Sequence, residues 1–80
     1  MDYAIIIKSY QIALTHLEKR KYHLALKEFN KIIENHSNFS NFSESYYNRG
    51  ICYYYLKKYN EAINDFSTAL VNNPNDQEYL

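Results

Sequence analysis

Apolar side chains recur every three or four residues in four successive segments of the chain, a spacing that places them on one face of an α-helix. The first helix is predicted from a cap at Asp2 to about Lys19. Its apolar stripe is Ile6, Tyr10, Ala13, Leu14 and Leu17. A second helix is predicted over about 22–35, and its buried side is Leu26, Phe29, Ile32 and Ile33. Two such helices with a short turn between them predict a hairpin.

The second half of the chain carries the same two-helix pattern. A third helix is predicted over about 43–57, with Ser43 or Ser45 as its cap. A fourth is predicted over about 60–71, capped by Asn60. One glycine and one proline in 80 residues leave few positions that would break these helices. The predicted fold class is therefore all-α, built from antiparallel helix-turn-helix hairpins.

The two halves also repeat each other in detail. Tyr22 returns as Tyr59, which sets an offset of 37 residues between the copies. At that offset the residues Ala25, Phe29, Ile33 and Ala13 correspond to Ala62, Phe66, Leu70 and Gly50. An internal repeat of this length indicates one helix hairpin per copy, stacked on the next.

The second copy contains a dense motif of aromatic and small residues. It reads Tyr46-x2-Arg49-Gly50-x2-Tyr53, followed by Tyr59, Ala62-x3-Phe66, Ala69-Leu70 and Pro74. Over about 43–76 this pattern resembles the tetratricopeptide repeat (TPR) family, with a weaker first copy over about 6–39. The resemblance implies a short right-handed α-solenoid of stacked hairpins.

The resemblance also implies that 1–80 is a single TPR domain. Its two repeats are expected at about 6–39 and 43–76. The offset of 37 exceeds the family period of about 34, and the extra residues lie in 38–43, where Asn-Phe-Ser is duplicated. The inserted loop between the repeats is expected at 36–42. Residues 77–80 look like the start of a further helix.

Small residues are expected where the two helices of a TPR hairpin come closest, because bulk there would push the helices apart. The residues at these positions are Ala13, Ala25, Gly50 and Ala62. Large side chains are expected to fill the flanks, and these are Tyr22, Phe29, Tyr53, Tyr59 and Phe66. The hairpin therefore predicts a core of small contacts bordered by aromatic rings.

Charge and hydropathy limit the possible partners. Nine basic and nine acidic residues give no net attraction to nucleic acid or to an anionic membrane. No run approaches the roughly 20 apolar residues that span a bilayer, and residues 1–8 lack the features of a signal peptide. We therefore expect a cytoplasmic protein that binds neither nucleic acid nor membrane. The basic run 19–21 is interpreted as a solvated turn.

Few residues could support catalysis or a cofactor. The histidines His16, His23 and His36 have no carboxylate or cysteine at ligand spacing, so no metal site is predicted. Cys52 stands near Gly50, where a buried structural thiol is expected. One glycine is too few for a phosphate-binding loop. The sequence predicts no catalytic residue, no metal and no cofactor.

In the TPR family, partners usually lie along the concave surface formed by the first helix of each repeat. Transferred to this chain, the resemblance implies a mostly aromatic and aliphatic groove. The predicted partner-binding residues are Tyr10, Leu14, Leu17, Tyr47, Asn48, Ile51, Tyr54 and Tyr55. The predicted function is a non-enzymatic protein-interaction module or adaptor that binds an apolar or amphipathic peptide segment.

Two alternatives remain open. The exposed apolar residues would also suit a self-associating assembly module, so a homo-oligomer is possible. A third reading is a co-chaperone that binds the acidic tails of heat-shock chaperones through a clamp of Lys, Asn and Arg. Of that clamp only Asn48 is present, and Tyr10 and Leu14 occupy first-repeat clamp positions.

Overall fold

The computed structural model describes residues 3–35 and 42–72. Nearly all of them belong to four helices, and these two ranges contain no strand. The helices are α1 (Tyr3–Glu18), α2 (Tyr22–Asn35), α3 (Phe42–Tyr55) and α4 (Tyr59–Asn72). The predicted all-α fold class is confirmed. None of the four helices is long and apolar enough to cross a membrane.

The helix starts in the second hairpin differ from the prediction. Ser43 and Ser45 do not cap α3, because the helix begins at Phe42 and Ser45 is fully buried inside it. Asn60 does not cap α4 either, since the helix begins at Tyr59. Serine and asparagine favour cap positions only when their side chains are free to accept a backbone N–H, and Ser45 instead faces the interior.

Several predicted features fall on residues outside the described ranges. These are the cap at Asp2, the loop at 36–42 apart from its last residue, the closing Pro74 and the helix start at 77–80. Phe42, which was assigned to that loop, is the first residue of α3.

The turns within the two hairpins have the same hydrogen bonds. In the first turn the Arg20 N–H donates to the Leu17 carbonyl at 3.0 Å, and the Lys21 N–H donates to the His16 carbonyl at 2.8 Å. The second turn makes the same two bonds 37 residues later, with the same lengths. Each is a Schellman motif, whose turning residue needs a positive φ. Arg20 has φ 62° and Lys57 has φ 65°, so both turns hold a bulky residue in a left-handed conformation.

The main core lies between the first hairpin and α3. Its buried residues are Ile6, Tyr10, Ala13, Ala25, Phe29, Ile32 and Cys52. Cys52 comes from α3, which shows that the second hairpin packs on the first. Leu14, Leu17, Tyr22 and Leu26 pack around this core and are partly buried. The predicted apolar stripes thus form the inward faces of the first two helices, except that Ile33 is only partly buried and is not among the residues of this core.

Helices α3 and α4 approach closely at Gly50. A Cβ atom placed there would lie 2.7 Å from Phe66 Cε1 and 3.2 Å from Asp65 Cβ. Ala13, Ala25 and Ala62 are buried as well. The predicted role of small residues at the hairpin contacts is confirmed.

One predicted flank residue is placed differently. Tyr59 is 52% exposed instead of filling the flank of the second hairpin. Its counterpart in the first hairpin, Tyr22, is half-buried because the ring of Tyr55 stacks on it. No described residue stacks in the same way on Tyr59, and only an edge of Tyr54 reaches it, at 5.7 Å.

The Gly50 contact predicts a large effect for one added methyl group. We expect Gly50→Ala to destabilise the fold by about 1–3 kcal/mol through overpacking, although alanine has the better helix propensity. Urea denaturation would measure the change. Adding Phe66→Leu to Gly50→Ala makes room for the new methyl group and should recover part of the lost stability. If the losses of the two single variants simply add in the double variant, the Gly50–Phe66 contact is contradicted.

The left-handed turns predict a substitution that stabilises. We expect Lys57→Gly to raise the free energy of unfolding by about 0.5–1 kcal/mol, because glycine adopts φ near 65° without steric cost. Lys27→Gly is the matched control, since Lys27 is exposed inside α2 and should lose about 1 kcal/mol. Equal losses at both sites in chemical denaturation would show that Lys57 carries no strain.

Candidate functional site

Five apolar side chains on the second hairpin surround an open cavity of about 350 Å³. They are Tyr47, Ile51, Tyr54 and Tyr55 of α3 and Phe66 of α4. We call this surface the aromatic face. The lining includes no lysine, arginine, aspartate or glutamate, so the cavity offers apolar contact and tyrosine hydroxyl groups.

Helical spacing brings these residues together. Tyr47, Ile51 and Tyr54 follow one another at intervals of four and three residues, which aligns them on one side of α3. Phe66 reaches the same side from α4, where its ring lies against the bare backbone of Gly50. Its ring centroid is 5.6 Å from that of Tyr47, with the rings tilted by 46°. Because Gly50 has no side chain, the ring of Phe66 can lie against its backbone and form part of the cavity lining.

The exposed tyrosines are held in place by other rings. Tyr55 stacks on Tyr22 with centroids 4.9 Å apart and planes 8° from parallel. Tyr54 meets Tyr55 edge-on at 5.3 Å. Even so, Tyr54 and Tyr55 are 52% and 57% exposed. Ring contacts of this kind restrict side-chain freedom before any ligand arrives, which lowers the entropy lost on binding.

An ion pair between the buried Asp65 and the partly buried Arg49 joins three helices behind this surface. Arg49 of α3 donates from Nε and Nη2 to the two carboxylate oxygens of Asp65, both at 2.8 Å. Its Nη1 donates to Asn30 Oδ1 of α2 at 2.9 Å. The guanidinium also lies 5.2 Å and 5.6 Å from the ring centroids of Tyr46 and Tyr53. The pKa of Arg49 is raised, because the hydrogen bonds and negative charge of Asp65 outweigh the effect of burial.

Sequence reasoning missed this ion pair. It treated Arg49 only as part of the repeat motif and assigned no role to Asp65. The available signal was the position of Asp65 on the buried side of α4, between Ala62 and Ala69. A carboxylate on an otherwise apolar stripe requires a buried cation as its partner.

The eight residues predicted to bind a partner fall into two groups. Tyr47, Ile51, Tyr54 and Tyr55 come together on the aromatic face. The other four lie at or beside the contact between the hairpins, and they are Tyr10, Leu14, Leu17 and Asn48. Their part in binding a partner stays a prediction.

Tyr10 is the centre of the second group. It is 8% exposed, and its hydroxyl donates to Glu44 Oε2 at 3.1 Å. The Tyr10 hydroxyl oxygen also accepts a hydrogen bond from Asn48 Nδ2 at 3.2 Å. Tyr10 is therefore built into the core and linked across to α3, instead of standing open in a groove. Leu14 and Leu17 pack against the same core.

Cys52 and the histidines are the remaining candidates for catalysis or metal binding. Cys52 is fully buried, as predicted, and burial raises the pKa of its thiol to about 12. The thiol is therefore protonated at neutral pH and is a poor nucleophile. Within 3–35 and 42–72, no three His, Cys, Asp or Glu side chains come together to hold a metal ion. His36 lies outside these ranges.

Two protein-family models match the chain, and both are described as Tetratricopeptide repeat. One matches residues 43–76 and the other residues 9–38. Together they leave unmatched only residues 1–8, 39–42 and 77–80. No curated protein and no solved structure matches the chain.

The ion pair predicts a large loss of stability when its charge is removed. We expect Asp65→Asn to lower the free energy of unfolding by about 2–4 kcal/mol, because Arg49 would stay buried without its counter-ion. Glu61→Gln, an exposed change one turn earlier on α4, should cost less than about 0.5 kcal/mol. Thermal and urea unfolding would measure both variants. Similar small losses would mean that the pair contributes little.

Proposed function

The chain belongs to the tetratricopeptide repeat family, and we propose that it binds an apolar or amphipathic segment of another polypeptide through the aromatic face. TPR arrays are protein-protein interaction modules and are generally non-catalytic. The proposal adds the surface and the kind of segment. We also propose that the protein is cytoplasmic, has no enzymatic activity and binds no nucleic acid.

The main support for the proposal is an open apolar cavity whose tyrosine rings are restricted by contacts with other rings. Tyr54 and Tyr55 leave about half of their surface in water while stacking and edge contacts fix their rings. Tyrosines of this kind provide a large contact area with little loss of conformational freedom, which is why they are frequent in binding hot spots. An apolar segment laid in the cavity would remove this area from water.

The lining also favours an apolar partner over a charged one. The five residues that line the cavity are three tyrosines, one isoleucine and one phenylalanine, so the lining includes no lysine, arginine, aspartate or glutamate. Asn48, the single clamp residue, uses its amide to hold the Tyr10 hydroxyl. A carboxylate tail would therefore find no charge-assisted hydrogen bond on this face, which argues against binding of acidic chaperone tails.

A second candidate function is self-assembly. It is favoured by further exposed apolar side chains on α4, where Ile63 is 60% and Val71 is 78% exposed. Two copies that cover these residues would form a homo-oligomer instead of capturing a ligand. Light scattering across a concentration series distinguishes the two functions, because self-assembly gives a molar mass above that of one chain, either throughout the series or increasingly at higher concentration.

Truncation of one tyrosine tests the proposed binding surface. We expect Tyr54→Ala to weaken the binding of an amphipathic helical peptide at least tenfold, because it removes a ring from the cavity wall. Isothermal titration calorimetry against a panel of such peptides would measure the loss.

The control is Ile63→Ala, which removes an exposed apolar side chain that does not line the cavity. It should leave the affinity unchanged, and both variants should keep the circular dichroism of the parent. A Tyr54→Ala protein that is folded and binds as well as the parent would rule out the aromatic face.

A further inference from the structure

The turns within the two hairpins lie side by side at one end of the helix stack. Tyr22, the first residue of α2, stacks on Tyr55, the last residue of α3, with ring centroids 4.9 Å apart. This contact brings the turn at 19–21 next to the turn at 56–58. Neighbouring helices pack about 8–10 Å apart, so the two turns form one continuous surface.

Five cations stand on this surface, and all five are exposed, as the interpretation of 19–21 as a solvated turn requires. They are Lys19, Arg20, Lys21, Lys57 and Lys58. We call the surface that they form the basic edge. The flanking residues add two carboxylates, those of Glu18 and Glu61. Positive charge is therefore in excess at this end of the molecule.

The cations of the basic edge form no ion pair with the described carboxylates. Across 3–35 and 42–72 the two ion pairs are Lys31–Glu28 and Arg49–Asp65, and neither includes a cation of the basic edge. The chain as a whole has nine basic and nine acidic residues. The basic edge is thus a local positive surface on a molecule without net charge.

Two of the five cations occupy positions that favour glycine. Arg20 has φ 62° and Lys57 has φ 65°, which is the left-handed region. A side chain raises the conformational energy there, which is why helices often end on glycine or asparagine. Both side chains are exposed, so they gain no burial that would offset this cost.

Two further cations occupy the N-cap positions of helices. The Ala25 N–H donates to the Lys21 carbonyl at 3.0 Å, and the Ala62 N–H donates to the Lys58 carbonyl at the same distance. These bonds open α2 and α4, which makes the two lysines the N-cap residues. A lysine ammonium has no acceptor for the N–H groups of the first turn, and the positive end of the helix dipole repels it. Serine or aspartate would be more stable at both positions.

Four positions in the two turns therefore hold a cation where the backbone favours another type of residue. The departure occurs twice, since the offset of 37 relates Arg20 to Lys57 and Lys21 to Lys58. Local preferences that are broken without a gain in packing are typical of functional positions. What these four residues share is a positive charge held on the basic edge.

We propose that the basic edge binds a short run of aspartate and glutamate side chains in another polypeptide. The inference is independent of the proposed function, because none of the five cations lines the cavity of the aromatic face. An extended chain advances about 3.3 Å per residue, so three or four acidic residues reach from one turn to the other. Their carboxylates would accept hydrogen bonds from the ammonium and guanidinium groups and would meet the positive ends of α2 and α4.

A short acidic segment fits the basic edge better than nucleic acid does. Nucleic-acid binding draws its affinity from many neutralised phosphates, whereas this surface offers five cations. Seven of the nine carboxylates lie elsewhere on the chain and would repel a long polyanion. The rings of Tyr22 and Tyr55 stack on each other, so one face of each is closed to bases.

Titration with a defined acidic peptide tests the inference. The probe is a ten-residue peptide of alternating glutamate and serine, capped at both ends, and its uncharged control has glutamine in place of glutamate. We expect the glutamate peptide to shift the backbone amide signals of 19–23 and 56–61 in NMR spectra of the full chain, and the glutamine peptide to shift none. Raising NaCl from about 50 to about 300 mM should weaken binding at least fivefold.

Replacing the two N-cap lysines separates binding from folding. Lys21→Ser/Lys58→Ser removes two charges and supplies two caps, so we expect a higher melting temperature together with at least fivefold weaker binding of the glutamate peptide. The matched control is Lys8→Gln/Lys31→Gln, which removes two exposed charges about 15 Å along their helices from the basic edge. It should bind the peptide within about twofold of the parent.

Three results would overturn the inference. The first is no binding of the glutamate peptide at about 50 mM NaCl, where screening is weakest. The second is equal weakening in the two double variants. The third is tighter binding of a single-stranded DNA hexanucleotide, whose phosphates match the glutamates in number, because nucleic acid would then be the partner.

Two further measurements separate this surface from other occupants. Tyr54→Ala, which tests the aromatic face, should leave binding of the glutamate peptide unchanged, and a loss in that variant would overturn the inference. Light scattering at low salt should show no oligomer that depends on Lys21 and Lys58. Such an oligomer would make a second copy of the chain the occupant and would overturn the inference as well.

Discussion

Two amphipathic helices packed as a hairpin cannot bury all of their apolar surface on each other. In this chain the excess surface of the first hairpin is covered by α3, which adds Cys52 to the buried cluster and meets the Tyr10 hydroxyl with Glu44 and Asn48. The rest of the structure depends on this contact, because α4 packs mainly on α3 and α3 packs on the first hairpin. Coverage of one hairpin by the next is the nearest-neighbour constraint that governs helical repeat proteins.

The polar contacts restrict the relative positions of the helices more closely than the apolar contacts do. Arg49 is tied to Asp65 by two hydrogen bonds of 2.8 Å and to Asn30 by a third of 2.9 Å, so it links α2, α3 and α4 at one point. Apolar helices can slide or rotate against each other with little change in buried area, whereas a bidentate ion pair has one favourable arrangement. The Arg49–Asp65 pair joins α3 to α4 within the second hairpin, and the Arg49–Asn30 hydrogen bond joins this hairpin to the first.

The same constraint bears on the aromatic face, the surface through which we propose that the chain binds a partner. Its outward surface repeats the chemistry of the covered surface on the first hairpin, and its tyrosines are ordered by one another and by Tyr22. A surface with this chemistry is complementary in polarity to the apolar side of a helix. Stacking between repeats and recognition of a partner would then use the same physical contacts.

Periodicity and residue size were sufficient to predict the four helices, their pairing into hairpins and the close contacts at Gly50 and the three buried alanines. These features are local, because the spacing of apolar residues decides which side of one helix avoids water. The resemblance to TPR repeats came from the same short-range pattern. The burial of Cys52 was also predictable, since it lies near the close contact at Gly50.

Only the tertiary structure decided which neighbour covers each apolar face. The sequence placed Tyr10 and Tyr47 in one groove, but α3 reaches Tyr10 and leaves Tyr47 at an open cavity. It offered Ser45 as a helix cap, although the packing of α3 buries that residue inside the helix. The pairing of Arg49 with Asp65 was likewise decided by the tertiary structure, because the two residues meet only after α3 and α4 pack. The sequence by itself determined the elements and their inward sides, whereas contacts between elements depend on how distant residues are brought together, which spacing along one helix does not encode.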